Sequence, residues 1–180
     1  RQPVPANDHI QPFIDAQVPG LWVYYCCAQS SLVPNRFFAM ESARNRIMGV
    51  LMYLYGIKGF LHWGYNFYNS KFSLHPVDPY RVTHADYAFP SGDPFLVYPG
   101  PDGAPLSSVR AEVQDDALLD LRALRLLEQL AGRAFVEELI YADAEMRPMT
   151  FRDYPRGAGY LLALRERVAA MEADPNIRAI

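Results

Sequence analysis

The chain has 180 residues, of which 51% are hydrophobic and 21% are charged, and its formal net charge is −3 at pH 7. This composition excludes a disordered or collagen-like chain and suits one domain with an ordinary core, although it falls short of the roughly 250 residues of a complete eight-fold β/α barrel. The mild acidity argues against nucleic acid or an anionic membrane as a partner, and the apolar runs end well before the ~20 residues that a membrane span requires.

The two halves of the chain differ in composition. Residues 1–100 hold 19 of the 24 aromatic residues, whereas residues 101–180 hold most of the charged ones. Large amphipathic rings suit the walls of a binding pocket, and charged amphipathic helices suit an outer layer. We therefore expect a binding site in the first half and a helical scaffold in the second, the alternative being that the aromatic residues form only the core.

The first half begins with a β-α-β pattern. A continuous run of aromatic and β-branched residues predicts a buried strand over 21–28, and apolar residues at helical spacing predict a helix over 36–55 that ends at Gly56. A second apolar run predicts another buried strand over 59–67. A helical crossover of this length joins parallel strands, so the two strands are expected to pair in parallel.

A long loop and a helical region follow. Residues 68–93 lack periodicity and are rich in turn formers, 95–98 read as a short third strand, and Ser107 or Ser108 caps a helix that runs to Ala131. Further helices are expected near 133–142 and 157–171. The order of elements predicts an α/β fold of about three parallel strands with outer helices, followed by extra C-terminal helices.

Parallel sheets bind ligands beyond the carboxyl ends of their strands. The polar and aromatic residues at the three predicted ends are Gln29, Trp63, Tyr65, Asn66 and Tyr98. A large ring, a phenol and an amide suit stacking on a sugar ring and binding its hydroxyl or acetamido group. We predict that these residues bind substrate, with packing in the core as the alternative.

Carboxylates recur on one face of the long predicted helix. Glu112, Asp116 and Asp120 stand four residues apart, a mildly repulsive spacing that cationic side chains such as Arg46 and Arg110 would offset. A structural ion-pair network among these residues is the favoured interpretation. A hard-cation site and a solvated face remain alternatives.

Other reactive side chains carry weaker signals. His62, which alternates with Trp63, is expected to be structural, and the adjacent Cys26 and Cys27 are expected to be reduced thiols, with a strained vicinal disulfide as the alternative. The His and Asp residues of the long loop match no metal-ligand spacing, and the sequence contains no Gly-rich phosphate loop or G-x-S-x-G elbow. We expect no metal and no cofactor, and covalent hydrolase chemistry of the Ser/His type gains no support.

Six blocks of the sequence, in order and with similar gaps, resemble glycoside hydrolase family 123. They cover residues 21–27, 35–37, 46–49, 55–66, 96–100 and 108–112. The resemblance implies the carboxyl-terminal half of a TIM-type catalytic barrel that acts on β-glycosides of N-acetylgalactosamine. It also implies a substrate-assisted mechanism, in which the acetamido oxygen attacks the anomeric carbon, a Glu serves as general acid/base and an adjacent Asp orients the acetamido group.

The sequence departs from this family pattern in two places, and the first departure implies that no catalytic residue lies within these 180 residues. It contains no Asp-Glu dipeptide, and where the family's last helix has an Arg-Asp-Gly run and an Asp-Tyr pair, Asp116 and Asp120 match but Asp115, Ala117 and Leu121 do not. Three functions are therefore considered. They are a portion of a glycosidase-like domain that forms part of a sugar pocket, a non-catalytic carbohydrate-binding or interaction module, and a half-barrel that assembles with a partner.

The predicted organisation divides the chain at residue 142. Residues 1–142 are expected to be the C-terminal portion of the barrel domain, and 143–180 a polar connection and a helix packed on it. The expected partners are a carbohydrate and either an upstream part of the same barrel or a second copy, because Arg1 is interpreted as a cut inside a larger barrel. Two thiols without a disulfide framework slightly favour the cytoplasm over secretion, and the location stays open.

Overall fold

The computed structural model describes residues 4–178, so Arg1 lies outside the described residues. Over residues 4–178, two short 3₁₀ helices, Asn7–His9 and Lys71–Ser73, accompany four strands and seven α-helices. In chain order these are α1 Gln11–Asp15, β1 Trp22–Tyr25, α2 Ala43–Arg46, α3 Met48–Leu54, β2 Gly59–His62, β3 Tyr98–Pro99, β4 Pro105–Leu106, α4 Val109–Ala131, α5 Arg133–Tyr141, α6 Ala158–Ala173 and α7 Pro175–Arg178.

The predicted parallel pair is present. β1 and β2 pair in parallel with Trp22 opposite Gly59 and Tyr25 opposite His62, which confirms the β-α-β unit. Both strands are shorter than the apolar runs suggested. β2 ends at His62, and Gly64 then adopts a φ of +63°, a left-handed conformation that glycine tolerates and that interrupts extended pairing.

The predicted third parallel strand is wrong. β3 pairs antiparallel with β4 in a two-residue hairpin, and Phe95 instead forms an isolated antiparallel bridge to Asn66. Pro99 has no N–H group to donate to a longer ladder, and the Gly100 N–H donates to the Ala104 carbonyl, so the chain turns back at once. The described residues thus contain two separate two-stranded sheets and do not close a barrel.

The predicted helix over 36–55 begins later than its periodicity suggested. Helical structure starts at Ala43 and continues as α2 and α3 up to Leu54, followed by Gly56 at a φ of +63°. The preceding segment is held by tertiary contacts, since the Phe38 N–H donates to the Ser91 carbonyl instead of to a helical neighbour. In an α-helix each backbone N–H group donates to the carbonyl four residues earlier, so a segment whose N–H groups bond elsewhere does not extend the helix.

The C-terminal helices agree with the sequence pattern. Ser108 caps α4, its hydroxyl accepting the Ala111 N–H at 3.3 Å, and α4 ends at Ala131 as expected. Helices α5 and α6 cover the two later predicted segments. One hydrophobic core runs from β1 through α3 and α4 to α6, and it includes Val23, Leu51, Leu127 and Leu164. The core is therefore continuous across residue 142.

None of the described helices is long and apolar enough to cross a membrane.

Candidate functional site

A buried ion pair lies beyond the carboxyl ends of β1 and β2. Arg36 and Asp93 both have side chains that are 0% exposed, and the guanidinium Nη1 lies 3.3 Å from the Asp93 carboxylate. The residues are 57 positions apart, so the pair joins the loop after β1 to the end of the long loop. Buried charges of this kind require a partner, because water no longer solvates them.

The guanidinium of Arg36 also holds the backbone of both loops. Its Nη2 donates to the carbonyl oxygens of Trp63 at 3.1 Å and of Asp93 at 2.7 Å, and its Nη1 donates to the Asn35 side-chain oxygen at 3.2 Å. The plane of the guanidinium lies over the ring of Tyr25, 5.1 Å from its centroid. Arg36 thereby fixes the turn that follows β2 against the turn at Asp93.

Burial governs the protonation of the groups around this pair. Loss of solvent raises the pKa of Asp93 from 3.8 to about 6, although Arg36, Trp63 and Arg110 oppose the rise. Loss of solvent together with the nearby Arg36 charge lowers the pKa of His62 to about 3. Since His62 packs its ring against Tyr25 and Phe60, it serves as a neutral packing residue at the end of β2.

The three predicted sugar-binding residues that follow β2 have different surroundings. Trp63 packs in an aromatic cluster with Phe67 and Phe89, with ring centroids 5.8 and 5.0 Å away. Tyr65 and Asn66 are exposed at the surface, and Asn66 pairs through its backbone with Phe95. The structure therefore does not gather Trp63, Tyr65 and Asn66 around one cavity.

Tyr98 instead lines a groove of about 430 Å³. The ring of Tyr80 lies 5.1 Å from that of Tyr98 at an interplanar angle of 35°, and the Tyr80 hydroxyl donates to the Pro99 carbonyl at 3.0 Å. The groove is lined by Phe38, Pro79, Tyr80, Thr83, Tyr98, Leu106 and Ser107. Rings and hydroxyls together give a surface on which a flat polar ligand can stack while its hydroxyls are bound.

Arg110 connects this groove to the buried pair. Its guanidinium lies 4.6 Å from the centroid of the Phe38 ring, and its Nη1 donates to the Gly92 carbonyl, next to Asp93. Burial lowers the pKa of Arg110, whereas Tyr98 raises it. Arg110 thus contacts both a residue of the groove and the turn that carries Asp93.

Gln29, the remaining predicted binding residue, is buried beneath the end of β1. Its side-chain oxygen accepts the Cys26 N–H at 3.0 Å, and its side-chain nitrogen donates to Asp8 at 3.2 Å. Both polar atoms therefore have protein partners. In this structure Gln29 holds the turn after β1 and does not reach the groove.

The acidic side chains on one face of α4 contact different partners. Arg46 makes a two-pronged contact with Asp120, at 2.7 and 3.0 Å, and lies 3.6 Å from Asp116. Arg110 lies at the groove, and Glu112 accepts a hydrogen bond from Ser107. Within the described part of the chain, no three His, Cys, Asp or Glu side chains are grouped to hold a metal ion.

Sequence reasoning missed the pairing of Arg36 with Asp93. No periodicity links two loop residues so far apart, and parallel strand ends mark only the residues that follow them directly. The available signal was a pair of opposite charges within the most aromatic part of the chain, where an unpaired charge would be costly.

The family comparison covers most of the chain. The family model described as the glycoside hydrolase 123 catalytic domain matches residues 1–127, which include both parallel strands, the buried pair, the groove and most of α4. No curated protein matches the chain.

Proposed function

Because the chain belongs to the glycoside hydrolase 123 catalytic-domain family, we propose that residues 1–142 form part of a glycosidase-like domain and bind an N-acetylhexosamine in the Tyr80–Tyr98 groove. The observation that carries this proposal is the pair of tilted tyrosine rings in an open groove, which residues of the loops after β1 and β2 help to line. The apolar face of a sugar ring stacks on such rings, and Thr83 offers a hydroxyl for its polar groups. The Ser107 hydroxyl, which donates to Glu112, is still able to accept a hydrogen bond from the sugar.

Calorimetric titration of the full 180-residue chain with N-acetylgalactosamine tests this function. We expect measurable binding by the wild type and an affinity at least about tenfold lower in Tyr98→Ala, since an aromatic contact contributes on the order of 1 kcal/mol beyond buried area. Tyr87→Ala is the matched control, because Tyr87 is 91% exposed and does not line the groove. Absence of binding in the wild type, or equal loss in both variants, would refute the proposal.

A non-catalytic carbohydrate-binding module is the second candidate. It is favoured by the absence of an Asp-Glu dipeptide from these 180 residues, together with the complete burial of Asp93, which keeps that carboxyl group away from a ligand. Under this alternative the chain binds N-acetylhexosamines but does not release nitrophenol from a nitrophenyl N-acetyl-β-galactosaminide. Turnover that persists in the purified chain would exclude a purely binding role.

We also propose that another β/α segment covers the open sheet. Trp22 is 42% exposed and Leu61 is 49% exposed, and among the described residues no strand pairs with the outer edge of β2. Exposed apolar strands favour association. Either an upstream segment of the same barrel or a second copy would fill this role. Sedimentation of the 180-residue chain distinguishes them. If a second copy covers the sheet, the chain sediments as a dimer, and if an upstream segment covers it, the chain sediments as a monomer.

A further inference from the structure

Two thiols stand side by side in a tight turn directly after β1. Cys26 and Cys27 are both free and partly exposed, and neither belongs to the hydrophobic core. The Gln29 N–H donates to the Cys26 carbonyl at 3.2 Å, so Cys27 and Ala28 form the centre of the turn. Neighbouring side chains point to opposite faces only within a strand, and β1 ends at Tyr25.

The backbone at Cys26 is connected to the buried pair. The side-chain nitrogen of Asn35 donates to the Cys26 carbonyl at 2.8 Å and to the Gln29 carbonyl at 2.5 Å. The side-chain oxygen of Asn35 in turn accepts the Arg36 N–H at 2.8 Å and the Arg36 guanidinium at 3.2 Å. Through Arg36 the contacts continue to the carbonyl of Trp63. Rotation of the peptide after Cys26 would therefore disturb the group that positions Trp63.

We propose that Cys26 and Cys27 form a dithiol site that exchanges with a small disulfide, such as oxidised glutathione, and closes to a reversible vicinal disulfide. One thiolate attacks a glutathione sulfur, which forms a mixed disulfide and releases one glutathione thiolate that takes up a proton. The second thiol loses its proton and attacks the cysteine sulfur of the mixed disulfide, which releases the second glutathione. Two protein thiols are oxidised, and one glutathione disulfide is reduced to two thiols.

The surroundings assign the order of the two attacks. Burial above all, and then the neighbouring Cys26 thiol and the Asp93 charge, raise the pKa of Cys27, so Cys27 forms a thiolate less readily and is assigned the second attack. The two cysteines are consecutive residues of the turn, so the second thiol stays close to the mixed disulfide, which favours the second attack over escape of the mixed disulfide. Ring closure turns the intervening peptide, pulls the Cys26 carbonyl away from Asn35 and loosens Arg36 from Trp63. The strain of that ring makes the disulfide easy to reduce.

Incubation of the folded chain with excess oxidised glutathione, followed by intact-mass measurement and thiol titration in denaturant, tests the proposal. The wild type should lose both thiols and become two hydrogen atoms lighter, whereas Cys26→Ser and Cys27→Ser should each keep one stable glutathione adduct. Two adducts on the wild type, disulfide-linked dimers or unreacted thiols would each overturn the proposal.

The link to Trp63 has a separate readout. In a Trp22→Phe background, emission comes from Trp63 alone, because the sequence contains two tryptophans. Oxidation should shift this emission, and dithiothreitol should restore it. In the Trp22→Phe protein that also carries Cys27→Ser, the same oxidation should shift the emission by less. Closure of the disulfide with unaltered Trp63 emission would overturn the coupling.

Discussion

Asp93→Asn tests how the buried pair shapes the pH dependence of folding. Asparagine has nearly the size of the carboxyl group but carries no charge. In the variant, Arg36 still has the carbonyl oxygens of Trp63 and residue 93 and the side chain of Asn35 as acceptors. The substitution therefore removes one buried negative charge and leaves the guanidinium with hydrogen-bond partners.

The magnitude of the effect follows from the raised pKa. The folded chain keeps the proton on Asp93 up to about pH 6, whereas the unfolded chain releases it near 3.8. Between these values the folded state binds more protons, so the Asp93 contribution to stability is present below pH 3.8 and is lost as the pH rises through 6. A shift of about two units corresponds to about 3 kcal/mol. Relative to the wild type, Asp93→Asn should thus gain about 3 kcal/mol between pH 3.5 and pH 7.

Urea unfolding followed by circular dichroism at several pH values measures this difference. Asp115→Asn is the control, because Asp115 is exposed on α4 and its replacement should shift stability by a nearly constant amount across the same range. A constant difference between wild type and Asp93→Asn would refute the reasoning. So would a wild type that gains stability relative to the variant as the pH rises, because Arg36 would then be holding the carboxylate ionised.

Two further predictions concern packing and charge on α4. Asp120→Asn should lower the free energy of unfolding by about 2 kcal/mol, because it breaks the close contact with Arg46, while Asp116→Asn at the longer, more exposed contact should cost less than about 1 kcal/mol. Equal losses in urea unfolding would contradict this ranking. Gly49→Ala should cost about 3 kcal/mol or more, because the added carbon would overlap a backbone carbonyl of α4, whereas Gly157→Ala points into open space and should change stability by less than about 0.5 kcal/mol. Thermal unfolding of the two glycine variants checks this, and a stable Gly49→Ala protein would show that α3 and α4 separate easily.

Sequence patterns predicted the regular elements better than the site. The long amphipathic stripe and Ser108 marked α4 correctly, and the two apolar runs marked a parallel pair, because period and capping depend on near neighbours in sequence. The apolar run at 95–98 was misleading, since Phe95 is buried by packing against Tyr68 and Tyr98 and not by a ladder. A short apolar run indicates that its residues are buried, but it does not by itself indicate that they pair in a strand.

The arrangement of the site depended on contacts that local patterns do not contain. Tyr98 was identified as a strand-end residue, and it lies in the groove because β3 turns back at Pro99. Its neighbour Tyr80 belongs to the irregular loop, where no repeat marks which face a side chain occupies. Arg36 and Asp93 meet only once the loops after β1 and β2 pack together. From the sequence, therefore, a groove residue could be predicted only where it lies at the end of a strand, as Tyr98 does.

A crystal structure of the chain with N-acetylgalactosamine tests most directly whether the Tyr80–Tyr98 groove binds an amino sugar, as we propose. We predict that the sugar ring stacks on Tyr98 or Tyr80 and that Tyr98→Ala crystals grown in the same way lack the bound sugar. A sugar bound elsewhere on the chain, or one bound equally well in Tyr98→Ala, would contradict the claim.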